Sequence, residues 1–308
     1  MGDTAATFQR TLKTVIGCRG VGLHSGQKVA MRLCPAPPHT GIIFRRTDAG
    51  VEIPAHWANT IQSPLCTMLW DGEGIRIGTV EHLMAALAGA EIDNAIVELD
   101  GPEVPIMDGS SAPFLFLLEC AGVVRQDAVR RAIKVLTPVA VSEDDARAEL
   151  LPDRGFSMSF EIHFDNPLIR RQDISLTFGS ETFKVELSRA RTFGLLDDVK
   201  RLRAAGLVRG GSLENAIVVG RDHVLNIGGL RYADEFVRHK LVDAFGDLYL
   251  AGGPLIGRFR GVRSGHTHTR RLLAVLFADP DAWCYATASG AIGSGGFEWQ
   301  DELQFAGE

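Results

Sequence analysis

His239, Asp243 and Asp247 stand at i, i+4 and i+8 in the stretch Glu235-Phe-Val-Arg-His239-Lys240-Leu-Val-Asp243-Ala-Phe-Gly-Asp247-Leu-Tyr-Leu250. That spacing stacks three polar side chains along one face of a helix. An imidazole and a carboxylate on such a row can form part of a catalytic zinc shell, which keeps one coordination position open for water. Two ligands do not complete a site, and His82 in Thr79-Val-Glu81-His82-Leu-Met-Ala-Ala-Leu-Ala-Gly89 is the best third. Glu81 precedes His82 by one residue and so points to another side, where it suits general-base work on a water better than ligation. A further polar cluster, Arg263-Ser-Gly-His266-Thr-His268-Thr-Arg-Arg, offers His266 as a general acid. A carboxylate such as Asp247 would keep that imidazole protonated at neutral pH. Each of these groups also has an ordinary structural alternative, as a capping, solvated or satisfied core side chain. Taken alone, the residues leave metal chemistry and plain structure both open.

Two helices must position these groups. Phe236, Val237, Leu241, Val242, Phe245, Leu248 and Tyr249 recur at helical spacing, which predicts an amphipathic helix with one buried side. For the His82 helix, Thr79 can cap, residues 83–88 are strong helix formers and Gly89 can end it. Ahead of it, residues 9–17, 28–34 and 41–45 read as strands, with Gly20-Val-Gly-Leu-His24-Ser-Gly26 as a tight turn between the first two. Residues 94–99 read as a strand and 114–120 as a helix. The polar run Arg125-Gln-Asp-Ala-Val-Arg-Arg131 then marks a boundary, which divides the chain into domains 1–128 and 129–308. Beyond it, strands are predicted at 133–141, 148–151, 156–164, 174–178, 216–219 and 255–260, with a polar helix at 195–205. Each half places a His-bearing helix ahead of a glycine and a strand. The fold class that follows is α+β, two domains of similar plan with a site where they meet.

Composition narrows the functional classes. The 308 residues are 45% hydrophobic, enough to fill real cores. A net charge of −6 opposes a nucleic-acid partner, which would need a basic face for phosphates. No apolar run reaches the roughly 18 residues that span a bilayer, and the start of the chain lacks a signal-peptide layout, so a cytoplasmic protein is expected. The five cysteines are widely spaced and contain no CxxC, which suits free thiols in a reducing compartment. A monomer is expected, since no long apolar stripe is left over. The glycine-rich stretch 289–296 and the acidic end 298–308 read as a mobile tail without a role.

Several longer motifs occur together and in order: Thr79-Val-Glu81-His82-Leu-Met-Ala-Ala-Leu, Pro105-Ile-Met-Asp108-Gly-Ser, Ser188-Arg-Ala-Arg-Thr192-Phe193-Gly194, Asp234-Glu-Phe-Val-Arg-His239-Lys240 through Asp247-Leu, and Ser264-Gly-His266. Jointly they resemble the UDP-3-O-acyl-N-acetylglucosamine deacetylases, zinc amidases at the committed step of lipid A and hence lipopolysaccharide synthesis. The likeness runs from about residue 10 to about residue 282. It implies a helix layer packed on a sheet in each domain, with the metal at the interface. His82, His239 and Asp243 would be the zinc ligands, and iron(II) can occupy the same donor set. Glu81 would take a proton from the attacking water, Thr192 and Lys240 would stabilise the oxyanion, and His266, held by Asp247, would protonate the leaving amine. The substrate would be a UDP-linked acylated amino sugar. Its acyl chain would lie along Phe193, Leu196, Val199, Leu207, Gly211, Ser212 and Val218. His24, Phe164, Arg263 and Cys66 complete the substrate-binding set, with Phe164 placed to stack on uracil and His24 and Arg263 near the diphosphate or sugar.

Three positions depart from the family pattern. Asn166-Pro167 replaces a usual His-Pro, Arg263 a usual Lys, and Thr269 a usual Asn. Arginine keeps the charge and adds a fork suited to phosphate, so binding is expected to survive with altered contacts. Two other readings compete with this one: a zinc amidase for a different N-acetylated sugar, opposed by the acyl segment, and a non-catalytic interaction module, opposed by the acidic charge and the intact ligand set.

Overall fold

A computed structural model describes residues 5–63, 65–290 and 298–301. Its frame is two sheets with helices between them. The first, five-stranded sheet runs in the order Ile16–Val21, Lys28–Pro35, Ala95–Leu99, Ile42–Arg46, Val51–Pro54. Ala95–Leu99 is antiparallel to Lys28–Pro35 and parallel to Ile42–Arg46, and Val97 sits opposite Leu33 and Phe44. Those three side chains are wholly buried, as strand alternation with one covered face requires. In the second, nine-stranded sheet the central strand Leu255–Val262 is parallel to Phe156–Phe164 and to Arg131–Val135, and antiparallel to Ala146–Leu151.

The helices are α1 (Glu81–Gly89), α2 (Ala112–Ala121), α3 (Leu196–Ala204), α4 (Glu235–Tyr249) and α5 (His266–Ala278). Helix α1 is built from Leu, Met and Ala, strong helix formers, and every residue from Glu81 to Leu87 is buried. It packs on α2 and α4, while α4 packs in turn on α5 and on the strands Phe156–Phe164 and Arg170–Thr177. The helices of the two halves therefore meet face to face, and one continuous apolar core runs through both.

The two helices press together at Gly246. A Cβ built there would lie 2.0 Å from the Glu81 carbonyl oxygen and 2.9 Å from the Ala85 nitrogen. Only glycine lets α4 approach the α1 backbone to this distance. The contact lies at the helical turn that carries Glu81 and His82, so it fixes how far those side chains stand from α4.

The mixed α+β class is that of the sequence analysis, and its principal helices and strands fall close to their expected places. Several details differ. Residues 9–17 form two strands, Phe8–Leu12 and Ile16–Val21, because Lys13 donates its amide to Gly122 and Thr14 its hydroxyl to Ala121, which turns the chain across the end of α2. The stretch 133–141 is likewise split into Arg131–Val135 and Val139–Glu143 around Pro138, which has no N–H for a ladder. Thr79 does not cap α1. Its backbone is left-handed, with φ of 58°, and its hydroxyl donates to Glu103 at 2.8 Å instead. Most of the polar run 125–131 lies in a strand, Val123–Val129, that pairs antiparallel with Phe8–Leu12. Of the tail, Glu298–Asp301 forms a strand on Trp283–Gly290, and the rest of the stretch read as mobile, 291–297 and 302–308, lies outside the described residues. Among the described residues no helix is long and apolar enough to cross a membrane.

Candidate metal and hydrolytic site

Where α1 crosses α4, His82, His239 and Asp243 bring one ligand atom each to within 4.8 Å of one another. The Nε2 atoms of His82 and His239 lie 3.4 and 3.3 Å from Asp243 Oδ1. The two imidazole rings meet edge to face with centroids 4.9 Å apart. All three side chains are buried.

The protons show what this cluster is suited to hold. His239 Nδ1 lies 3.1 Å from the Ala190 carbonyl, which can only accept, so Nδ1 carries the hydrogen and Nε2 presents a lone pair. That lone pair faces the Asp243 carboxylate oxygen, which itself has no hydrogen-bond partner among the described residues. Burial pulls the His239 pKa down to about 4, against the opposing pull of Asp243, so the ring is neutral. For Asp243, burial opposes ionisation, but the charges around it, the Lys240 ammonium among them, outweigh it and hold the carboxyl well below its ordinary range. An ionised, buried carboxylate oxygen set against a neutral nitrogen lone pair is unstable without a cation between them. The donor set of two imidazoles and one carboxylate fits a divalent metal with a position left open.

Two proton-carrying groups flank the triad. Glu81 is 3% exposed; burial pushes its pKa up to about 7, although His266 and His82 pull the other way. Its Oε1 lies 3.9 Å from His266 Nε2. His266 opens α5 and turns Nδ1 onto Asp247 Oδ2 at 2.8 Å. Burial works against its protonation, yet Asp247 and Glu81 prevail and raise the pKa to about 9. A group that is ionised near neutrality thus stands beside one that stays protonated there, the separation expected of a base and an acid sharing one reaction. Lys240 Nζ reaches Asp243 Oδ2 at 2.7 Å, and this pairing raises its pKa against the pull of burial.

The remaining residues singled out by sequence fall around this centre. Thr192 is held by its amide on the Gly109 carbonyl, two residues beyond the Ala190 carbonyl that orients His239. Cys66 is buried, and burial with the Glu81 charge pushes its thiol up to about 12. Phe193 contacts Phe236, His239 and Phe164, with ring centroids 4.9, 6.4 and 5.6 Å away. The strand Phe193–Leu195 is parallel to Ile217–Val219, pairing Gly194 with Val218. Between these strands stands α3, which carries Leu196 and Val199 and buries none of its residues. The loop after α3, with Leu207, Gly211 and Ser212, is tied to the His24 loop: Gly210 donates to the Leu23 carbonyl and Arg209 to that of His24. Both ring nitrogens of His24 are buried without a partner among the described residues. Arg263 sits farther out, with its guanidinium on Asp145 at 3.2 Å.

Two residues that hold the site were not singled out by sequence. Glu103 is buried and accepts from the amides of His24 and Ser25 and from the Thr79 hydroxyl, joining the His24 loop to the start of α1. Thr67 touches the base, the acid and the carboxylate behind the acid. A lone Glu in a loop and a Thr before a short strand carry no spacing signal.

A family model described as UDP-3-O-acyl N-acetylglycosamine deacetylase matches residues 9–278. The chain is 53% identical over 279 residues to the UDP-3-O-acyl-N-acetylglucosamine deacetylase of Pseudomonas entomophila (strain L48), covering 89% of this chain and 92% of that one. It is 49% identical over 280 residues to the enzyme of the same name from Shewanella frigidimarina (strain NCIMB 400), covering 90% and 92%. A buried two-histidine, one-aspartate cluster between a base and an acid, within a match this long, places the chain in the UDP-3-O-acyl N-acetylglycosamine deacetylase family.

Proposed function

We propose that the protein hydrolyses the N-acetyl group of UDP-3-O-acyl-N-acetylglucosamine, releasing acetate and the free amine, the committed step of lipid A biosynthesis. The observation that carries this is the meeting of the His82, His239 and Asp243 donors with Glu81 and His266 in one buried site. His82, His239 and Asp243 hold the metal, for which zinc is the first candidate and iron(II) the second. Bound there, it would act as a Lewis acid on the acetamide carbonyl and lower the pKa of water.

The chain's own groups do the rest. Glu81 accepts the proton of the attacking water through Oε1, the oxygen that faces His266. As the carbonyl carbon becomes tetrahedral, Lys240 and Thr192 supply positive charge and a hydroxyl to the developing oxyanion. When the C–N bond breaks, His266 Nε2 gives its proton to the departing amine, while Nδ1–H on Asp247 keeps the ring aimed and charged. Phe193, Leu196, Val199, Leu207, Gly211, Ser212 and Val218 provide an apolar path for the acyl chain. Phe164, His24 and Arg263 serve the sugar and nucleotide side, and Cys66 completes the substrate-binding set. We further propose domains at 1–128 and 129–308 and action as a cytoplasmic monomer. Among the described residues no disulfide joins the cysteines, in keeping with a reducing compartment.

The test is release of acetate from UDP-3-O-acyl-N-acetylglucosamine, compared with the same nucleotide sugar lacking the acyl chain. Turnover of the acylated compound alone is expected, lost on chelation and restored by zinc. Equal rates on both compounds would discard the lipid assignment, and bound metal without turnover of either would discard the enzyme reading.

A further inference from the structure

Thr67 stands at the start of the strand Met68–Trp70 and is 7% exposed. Its backbone brackets the beginning of α1. The carbonyl accepts from the Val80 amide at 3.4 Å, and the amide donates to Glu81 Oε2 at 3.0 Å. With Oε2 held there, Oε1 is left for the reaction and faces His266 Nε2. The hydroxyl reaches the opposite helix. Its Oγ1 donates to Asp247 Oδ1 and lies 3.1 Å from His266 Nδ1. Asp247 therefore receives Thr67 on one oxygen and His266 on the other. This leaves it no rotation that keeps both bonds. The base sits on α1, the orienting carboxylate on α4 and the acid on α5. Thr67 is bonded to a side chain on each of the three.

We infer that Thr67 is a positioning residue that sets base and acid in register, fixing Glu81 through its amide and, through its hydroxyl, the Asp247 carboxylate that aims His266. The inference rests on the reading of Glu81 and His266 as base and acid. The hydroxyl does not ionise, and its hydrogen bonds go to Asp247 and His266 rather than to His82, His239 or Asp243, so its removal should spare the metal. Outer partners that orient a working side chain commonly carry about ten- to a hundredfold in activity.

Thr67→Val keeps the shape and the amide and removes only the hydroxyl, whereas Thr67→Ser keeps the hydroxyl. We expect Thr67→Val to lower kcat by about ten- to a hundredfold with KM, metal content and Tm little changed. Thr67→Ser should recover most of the loss. In an Asp247→Asn background the valine substitution should cost less than about twofold, because its target is already gone. A second readout does not depend on turnover. The His266 Nδ1 proton resonance should move in Thr67→Val and return in Thr67→Ser. Wild-type kcat in Thr67→Val, a serine variant no better than valine, or full multiplicativity with Asp247→Asn would each overturn the inference. A wild-type protein that releases no acetate would instead sink the enzyme reading, with the proton resonance still deciding whether Thr67 orients the imidazole.

Discussion

The crossing of α1 and α4 and the unit around α3 are built on opposite principles. At the crossing, backbone touches backbone at Gly246, and Glu81, His82, His239, Asp243 and Asp247 are all buried. Within α3 no residue is buried, and Leu207 and Leu213 in the loop that follows it are exposed. Bond making requires side chains locked to within a fraction of an ångström, because small misplacements cost large factors in rate. Accommodating a flexible acyl chain requires surface that can yield, and loops with few buried contacts supply it. Chemistry and specificity therefore fail differently, and variants in the two regions should separate them.

The largest effect is expected at the base. Glu81→Gln should lower kcat by about 10²- to 10⁴-fold with metal retained, as measured by single-turnover acetate release. His266→Gln comes next, with about a hundredfold loss in kcat, and its distinguishing mark is the pH profile. Activity of the wild type should rise as Glu81 gives up its proton near pH 7 and fall as His266 loses its own near pH 9. A bound cation favours the carboxylate and moves the acid limb below that value. In His266→Gln the basic limb should flatten. An unchanged limb would remove His266 as the acid.

Gly246→Ala probes the crossing by packing alone. Its methyl meets the Glu81 carbonyl, so a destabilisation of about 1–3 kcal/mol is expected. Lower metal occupancy should accompany it, read as Tm and metal content on one sample. A variant with wild-type Tm and full metal would show that the helices need not touch there. The smallest effect is expected in the open region. Leu196→Ala and Val199→Ala should raise KM for the acylated substrate while leaving kcat within a few-fold and stability within about 0.5 kcal/mol. A fall in kcat with KM unchanged would show that α3 serves the chemistry after all.

Much of this was legible in the sequence. The apolar period of residues 236–249 fixes the α4 face, and the same period sets His239, Asp243 and Asp247 in one row. His82 and Glu81 were legible because a helix former follows them and their residue types are rare in an apolar run. What sequence did not show is how the row is held. Gly246 looks like a weak point in a helix until α1 is laid against it. Thr67 acts through an amide that every residue but proline carries and a hydroxyl common in strands. Thr79 looks like a cap because caps are local, but its hydroxyl is claimed by Glu103 from 24 residues away. The strand Val123–Val129 gave no signal within 125–131, because its polar residues alternate on an outer strand whose partner, Phe8–Leu12, lies far off in the chain.

The central claim is that the His82, His239 and Asp243 cluster holds the metal on which hydrolysis depends. The most direct measurement is acetate release against metal content, for wild type and Asp243→Ala, during titration of stripped protein with zinc. Turnover in the wild type should rise in proportion to bound metal and saturate at one ion per chain, and Asp243→Ala should bind weakly and stay inactive across the same range. Full turnover by the stripped wild type, or tight stoichiometric binding by Asp243→Ala, would contradict the account.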